Sequence, residues 1–201
     1  MMEDIILRKV EEGIAQYTER LHNDIYYQQI NDWKIDDNKF IVTKTTNEIY
    51  DRLQRDSCVL VVGRAGCHKS SIVRHIALKM QSEEQYDIIP IFTAGSIFEL
   101  INQRRNQIFV VDDFCGKVII NSQSVDVWYS HMDDILKLIH NVGKSKGRYV
   151  AELKFLFATR LDVYDEMCFQ NLTGFTKYVY QLSDRPLTDD EKLPIIKNYF
   201  P

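Results

Sequence analysis

The sequence has no long apolar run, no excess of positive charge and no closely spaced cysteines. None of its apolar stretches approaches the roughly 18 residues that a membrane-spanning helix needs. The start, MMEDIILRKVEEG, lacks the apolar run of a secretory signal peptide. Neither a membrane anchor nor secretion is therefore expected from these segments.

Charge and cysteine usage exclude further classes. The 25 Lys and Arg residues against 29 Asp and Glu residues give a net charge of −4, so no global field attracts nucleic acid or anionic lipid. The cysteines Cys58, Cys67, Cys115 and Cys168 form no C-x-x-C pair. These features predict reduced thiols in a cytoplasmic protein, with neither membrane nor nucleic acid as partner.

What is present is the composition of a packed domain. Hydrophobic residues make up 45% of the 201 residues, and only four prolines and no repeats interrupt them. Apolar residues at helical spacing predict a helix over Met2–His22. The stretch Tyr26–Asn38 has no clean periodicity and is interpreted as a loop-rich connection. We place a boundary near Asp36–Lys39, which leaves residues 1–38 as an N-terminal helical segment.

From Ser57 onwards, short apolar runs alternate with helical patterns, which is typical of buried parallel strands joined by crossover helices. The sequence thus predicts an α/β fold with three layers and a five-stranded parallel sheet. Pro90 lacks a backbone donor, so its strand is expected at a sheet edge. The predicted strands are Cys58–Val62, Asp87–Phe92, Gln107–Asp112, Lys154–Thr159 and Tyr178–Ser183, and the predicted helices are Ser70–Gln81, Ser96–Gln103 and Val127–Val142.

The motif GRAGCHKSS lies between the first strand and a helix, which is the context that a phosphate-binding loop (Walker A) requires. The amides from Gly63 to Lys69 are predicted to surround a phosphate, aided by the positive end of the helix. Lys69 would bridge the β- and γ-phosphates, and Ser70 would ligate Mg²⁺. The pattern G-x-x-x-x-G-K-[ST] predicts a nucleotide-binding site here.

One residue of the loop departs from the pattern. His68 stands directly before Lys69, where glycine lets the backbone pass close to phosphate. An imidazole there should either push the loop away or lean outwards at a cost in strain. A protonated His68 that assists phosphate binding is a further hypothesis.

The end of the third strand carries two carboxylates. Asp112 and Asp113 follow QIFVV at the carboxyl edge of the sheet, where open α/β sheets bind their ligands. This is the position of a Walker B acid, so Asp112 would hold the metal and Asp113 would polarise the attacking water. The fourth strand ends in FATR, which directs Arg160 towards the same edge.

Two other motifs carry weaker hypotheses. Gly143–Ser145 reads GKS but follows a helix instead of a strand, so we interpret this stretch as a basic surface loop. Cys67, His68 and Cys115 could meet at the sheet edge as a metal site, although structural cysteines are commoner.

Taken in order, these motifs resemble the STAND class of P-loop signalling ATPases, most closely the third novel STAND NTPase family. The resemblance covers roughly Phe40–Tyr199. The segments that carry it are FIVTKTTNEIYDRL, CVLVVGRAGCHKSSIVRHIALKM, YDIIPI, QIFVVDDFCGK, DVWYSHMDDILKLI, KFLFATRLDVY and QLSDRPLTDDEKLPIIKNYF.

The resemblance implies a nucleotide-operated switch that binds ATP or ADP with Mg²⁺ between an α/β core and a following lid. It implies a sheet order of 5-1-4-3-2, a core over residues 39–183 and the start of a truncated lid over residues 184–201. Effector or sensor modules, or self-association, would be the partners. The implied phosphate contacts are Gly63, Gly66, Cys67, His68, Lys69, Ser70 and Ser71, the implied metal residues are Ser70 and Asp112, and the implied catalytic residues are Asp113 and Arg160.

Two alternatives remain open. Because His68 replaces glycine, hydrolysis is expected to be weak or slow, and the chain could instead be a degenerate P-loop scaffold that binds no nucleotide. A small-molecule kinase would need arginines around an acceptor pocket, for which only Arg104 and Arg105 are candidates.

Overall fold

The computed structural model describes residues 26–102, 104–141 and 151–199, and the structural statements below concern these residues. The predicted helix Met2–His22 and the GKS motif at Gly143–Ser145 lie outside them. The chain divides into two units, Met1–Ile35 and Asp36–Pro201.

Residues 26–37 form a helix, α1, so the predicted loop-rich connection is wrong. The segment contains no glycine or proline to break a helix, and Tyr26, Ile30 and Trp33 recur at spacings of four and three. Frequent polar residues between them hid this periodicity.

The second unit contains the predicted five-stranded sheet, and every described strand pair is parallel. The strand order is β2-β3-β4-β1-β5, which confirms the predicted order written from the other edge. The strands are β1 (Cys58–Gly63), β2 (Asp87–Pro90), β3 (Gln107–Val111), β4 (Leu153–Arg160) and β5 (Val179–Gln181).

Helices separate the strands. The helix between β1 and β2 begins directly at the phosphate-loop lysine, as the motif requires. The helices are α2 (Lys44–Asp56), α3 (Lys69–Glu84), α4 (Ala94–Leu100), α5 (Ser122–Asn141), α6 (Leu161–Tyr164), α7 (Thr173–Thr176) and α8 (Asp189–Tyr199), with 3₁₀ turns at Phe169–Asn171 and Leu182–Asp184.

The prediction that Pro90 lies in an edge strand is confirmed. Strand β2 pairs only with β3, where Pro90 lies opposite Val110. The central strands β1 and β3 are buried along their whole length. Continuous apolar runs such as CVLVV therefore form strands covered on both faces, where alternation would leave polar groups without water.

An aromatic cluster lies beneath the carboxyl end of the sheet. The Phe114 ring centroid lies 4.9 Å from those of both Trp128 and Phe157, and 5.5 Å from that of Phe169. All four side chains are almost completely buried. Because Phe114 directly follows the acid pair, this packing fixes where the two carboxylates stand.

Candidate functional site

Loop 63–69 connects the end of β1 to the first turn of α3. Gly63 pairs in register with Arg160 on the neighbouring β4, so the loop and the end of β4 share one edge of the sheet. Gly66 has a φ of 77°, a left-handed backbone that glycine adopts at low cost. Lys69, Ser70 and Ser71 follow as the first residues of α3.

His68 also has a left-handed backbone, with φ 60° and ψ 24°. The residue is exposed, and the loop keeps a backbone that glycine prefers. Of the two outcomes expected from the sequence, this is the strained one. The strain adds to the conformational energy of the loop.

The Lys69 side chain folds back over the loop. Its Nζ donates to the carbonyl oxygen of Arg64 at 2.9 Å and lies 3.9 Å from the Cys67 Sγ. Lys69 is only 8% exposed. A buried ammonium group that contacts a backbone carbonyl is positioned to exchange that contact for a stronger anionic one.

Ser70 and Asp112 meet although 42 positions separate them in sequence. The Ser70 hydroxyl donates to Asp112 Oδ1 at 2.8 Å. A hydroxyl and a carboxylate oxygen at this separation are the donor types that Mg²⁺ prefers, so the predicted metal residues fit the ion chemically.

The sequence analysis missed Arg74. Its Nη2 donates to Asp112 Oδ2 at 2.7 Å, and Nη1 lies 4.0 Å from Asp36 Oδ2. Arg74 lies four positions after Ser70, one turn further along the same face of α3. That spacing from the motif serine was the available signal.

Asp113 lies beside Asp112 in a left-handed backbone with φ 54°. Burial, followed by the charge of Asp112, raises the pKa of the Asp113 carboxyl, while Lys117, Lys69 and Arg74 oppose the shift. A carboxyl with a raised pKa accepts a proton more readily, which is the property required for polarising a water molecule.

Arg160 reaches the predicted edge but contacts other groups there. Its Nε donates to Asp162 Oδ1 at 2.8 Å, Nη2 donates to Asp162 Oδ2, and Nη1 lies 3.5 Å from the carbonyl oxygen of Lys117. The bond to Asp162 raises the pKa of the Arg160 guanidinium, and the charge of Asp113 adds to the effect. Arg160 is thus near the acid pair and held by an ion pair at the start of α6.

A pocket of about 310 Å³ lies directly against the loop. Its volume is at the small end of the range for ligand sites, about 300–1,000 Å³. The wall combines apolar side chains with threonine hydroxyls. Its lining residues are Phe40, Ile41, Thr43, Thr45, Thr46, Gly66, Cys67, His68, Ile72, Leu182, Arg185, Pro186, Leu187 and Ile195.

Hydrogen bonds hold two sides of this pocket together. The Thr43 Oγ1 caps α2 by accepting from the Thr46 amide at 3.2 Å. The Glu191 carboxylate accepts from the Lys44 amide at 2.8 Å and from the Thr188 amide at 2.9 Å. The segment before α2 and helix α8 are therefore joined beside the pocket.

Comparison with protein families identifies this architecture. The model of the novel STAND NTPase 3 family matches residues 40–201, which is most of the chain. The chain belongs to the novel STAND NTPase 3 family. It is accordingly a nucleotide-binding NTPase domain of the P-loop class, and the predicted family is confirmed.

Solved structures that resemble this STAND domain include the Holliday junction branch migration motor RuvB of Thermotoga maritima. The identity is 16% and the TM-score 0.45, and the match covers 77% of this chain and 48% of that one. A single-residue variant of RuvB matches with 15% identity and a TM-score of 0.43 over 75% and 49% of the two chains. The STAND domain thus spans about half the length of these structures. The comparison with curated proteins gave no match.

Two further observations concern the described part of the STAND domain. Among the described helices, none combines the length and the hydropathy that a membrane-spanning segment requires. Nor do three His, Cys, Asp or Glu side chains group there as metal ligands, so the alternative site of Cys67, His68 and Cys115 is wrong. Cys115 is buried among apolar residues, and burial raises the pKa of its thiol far above the usual range.

Proposed function

We propose that this domain binds ATP and ADP as a nucleotide-operated switch and hydrolyses ATP slowly. The observation that carries the proposal is the hydrogen bond between Ser70 and Asp112, because it joins the phosphate-loop helix to the acidic strand end. Motif order alone does not require that contact. The hydrogen bond supports an arrangement in which the two motifs act together.

The pocket supports the nucleotide part of the proposal. It continues from Gly66, Cys67 and His68 to apolar side chains such as Ile72 and Leu182, so a ligand with an anionic end and a flat apolar end suits it. In this proposal the loop amides and Lys69 bind phosphates, and the apolar part takes the base.

Ser70 and Asp112 would hold Mg²⁺ on the nucleotide, and Ser71 lies within the same helix turn. A bound Mg²⁺ would neutralise phosphate charge. Asp113 would accept a proton from water, which its raised pKa favours. Arg160 would neutralise negative charge at the γ-phosphate after leaving Asp162. Slow turnover follows because that ion pair must break and because His68 strains the loop.

The first test compares two lysine variants by thermal unfolding with and without ATP and Mg²⁺. At a ligand concentration 100 times Kd, binding stabilises by about 2.7 kcal/mol, which for a domain of this size raises Tm by roughly 5–10 °C. We expect Lys69→Ala to lose this rise, because the substitution removes the buried ammonium group of the loop.

The matched control is Lys137→Ala, which removes an exposed lysine of α5 that pairs with Asp134. This variant should keep the full rise in Tm on addition of ATP and Mg²⁺. If neither the parent protein nor His68→Gly responds to ATP, the proposed binding is wrong, and the result favours the alternative of a degenerate P-loop that binds no nucleotide.

The switch part of the proposal concerns residues 184–201, the proposed beginning of the lid, which include helix α8. Support comes from the wall that Leu187 and Ile195 give to the pocket and from the bond between Glu191 and the Lys44 amide. A ligand in the pocket would touch both the core and α8, so exchange of nucleotide would alter α8. Self-association and contacts with effector or sensor modules would respond to this change in α8.

A further inference from the structure

Both carboxylate oxygens of Asp112 accept hydrogen bonds within the protein. Its Oδ1 accepts the Ser70 hydroxyl at 2.8 Å and the Asp113 amide at 3.1 Å, and its Oδ2 accepts the Arg74 guanidinium at 2.7 Å. The Asp112 side chain is 19% exposed and that of Arg74 is 32% exposed. An ion pair at this depth is screened less than one on the surface.

The position of Arg74 makes this ion pair a property of the fold. Ser70 and Arg74 lie on the same face of α3, and that face meets the end of β3. A rigid helix therefore delivers the motif hydroxyl and the guanidinium to the two oxygens of one carboxylate. No loop movement is needed to form the pair.

Positive charge is already present at the site without an added ion. The charges of Lys117, Lys69 and Arg74 all act on Asp113, which lies beside Asp112. A divalent cation entering here would meet these positive charges.

We propose that Arg74 is a positioning residue that acts as an internal cation for Asp112 and competes with a divalent metal for that carboxylate. This inference deepens the proposed function, since it concerns the same site. The guanidinium holds Asp112 towards Ser70 when no metal is bound. Metal affinity is thereby low until a nucleotide brings its own phosphate ligands.

Asp36 gives the Arg74 guanidinium a second partner of opposite charge. Its Oδ2 lies 4.0 Å from Arg74 Nη1, and its side chain is 73% exposed. When a metal takes Asp112, Arg74 keeps a partner of opposite charge without leaving its helix. Release from Asp112 is therefore cheaper than it would be for an arginine with one partner.

The test uses Mn²⁺ as a paramagnetic oxygen-binding probe, added to the protein without nucleotide and followed by water-proton relaxation. We expect Arg74→Gln to bind Mn²⁺ at least about tenfold more tightly than the parent, because a competing unit charge is gone. Arg74→Lys, which keeps the charge, should bind as weakly as the parent. Adding Asp112→Asn to Arg74→Gln should abolish the gain.

Arg74→Met, a second variant without the charge, repeats the measurement if Arg74→Gln does not fold, and circular dichroism checks folding in each case. Equal Mn²⁺ affinity of the parent and both charge-removing variants overturns the inference. So does a gain that survives Asp112→Asn. Because no nucleotide is present, these outcomes are independent of whether ATP binds, which the lysine variants decide.

Discussion

His68 shows how one residue keeps a loop that its side chain disfavours. The left-handed backbone at this position belongs to the geometry of the loop and is usually taken by glycine. The residue is exposed, and its left-handed backbone raises the local conformational energy. A substitution that breaks the sequence pattern therefore preserves the shape.

The first residue-scale prediction follows from this strain. His68→Gly should increase the free energy of unfolding by about 0.5–1 kcal/mol, since relief of left-handed strain exceeds the added entropy of the unfolded chain. Urea unfolding measures the change.

Gln85→Gly is the matched control, because Gln85 also has a φ of 60° and lies at the other end of α3. It should give a similar gain in stability with unchanged affinity for a fluorescent ATP analogue. His68→Gly should also raise that affinity. A loss of stability in His68→Gly would contradict the assignment of strain.

At the scale of elements, the strands were the most predictable part. Buried parallel strands need continuous apolar runs, and each predicted run overlaps an observed strand. Strand ends shifted because pairing decides them: β2 ends at Pro90, whereas the apolar run continues to Phe92. Helix α1 was missed because its apolar positions are few and polar residues fill the spaces between them.

Helix α8 carries the element-scale prediction. Amides of Thr188 and Lys44 donate to the Glu191 carboxylate and lower its pKa. Glu191→Ala removes both bonds and should weaken binding of a fluorescent ATP analogue by roughly threefold to tenfold, because water competes for this poorly buried carboxylate and leaves the contact a net contribution of about 1 kcal/mol. Fluorescence titration measures the loss.

The pH dependence of this contact has a definite sign. A carboxyl whose pKa is lowered in the folded state stabilises the fold at any pH above its unfolded pKa, which is about 4.3. That stabilisation is lost as pH falls through the folded-state pKa. The contact is therefore complete at pH 7.

Glu83→Ala, which removes an exposed glutamate of α3, serves as the control for Glu191→Ala and should bind the ATP analogue like the parent. An unchanged affinity of Glu191→Ala for the analogue would show that this contact of α8 does not contribute to nucleotide binding.

At the scale of the whole domain, the pocket is assembled from parts that are distant in sequence. Residues from the segment before α2, from the phosphate loop and from the stretch between β5 and α8 form one wall. A ligand held by all three parts would stabilise their arrangement as a unit. In the proposed switch, this shared stabilisation would let nucleotide control assembly.

The whole-molecule prediction concerns self-association. In ATP with Mg²⁺ the domain should sediment differently from the domain in ADP, because only the triphosphate can engage Arg160 in the proposed site. Analytical ultracentrifugation measures the two states. Lys69→Ala should abolish the difference, and identical sedimentation of the parent in both nucleotides would contradict the switch.

Local patterns were enough to predict the parallel sheet, the phosphate-loop motif and the acid pair at a strand end, and the resemblance implied the strand order. Apolar runs and glycine positions act over a few residues, and the resemblance supplied the arrangement. Tertiary structure alone decided two things: the ion pair of Arg74 with Asp112, and the pocket that extends to Ile195. Each depends on groups brought together from distant parts of the chain, and packing against β3 and α8 is what brings them together.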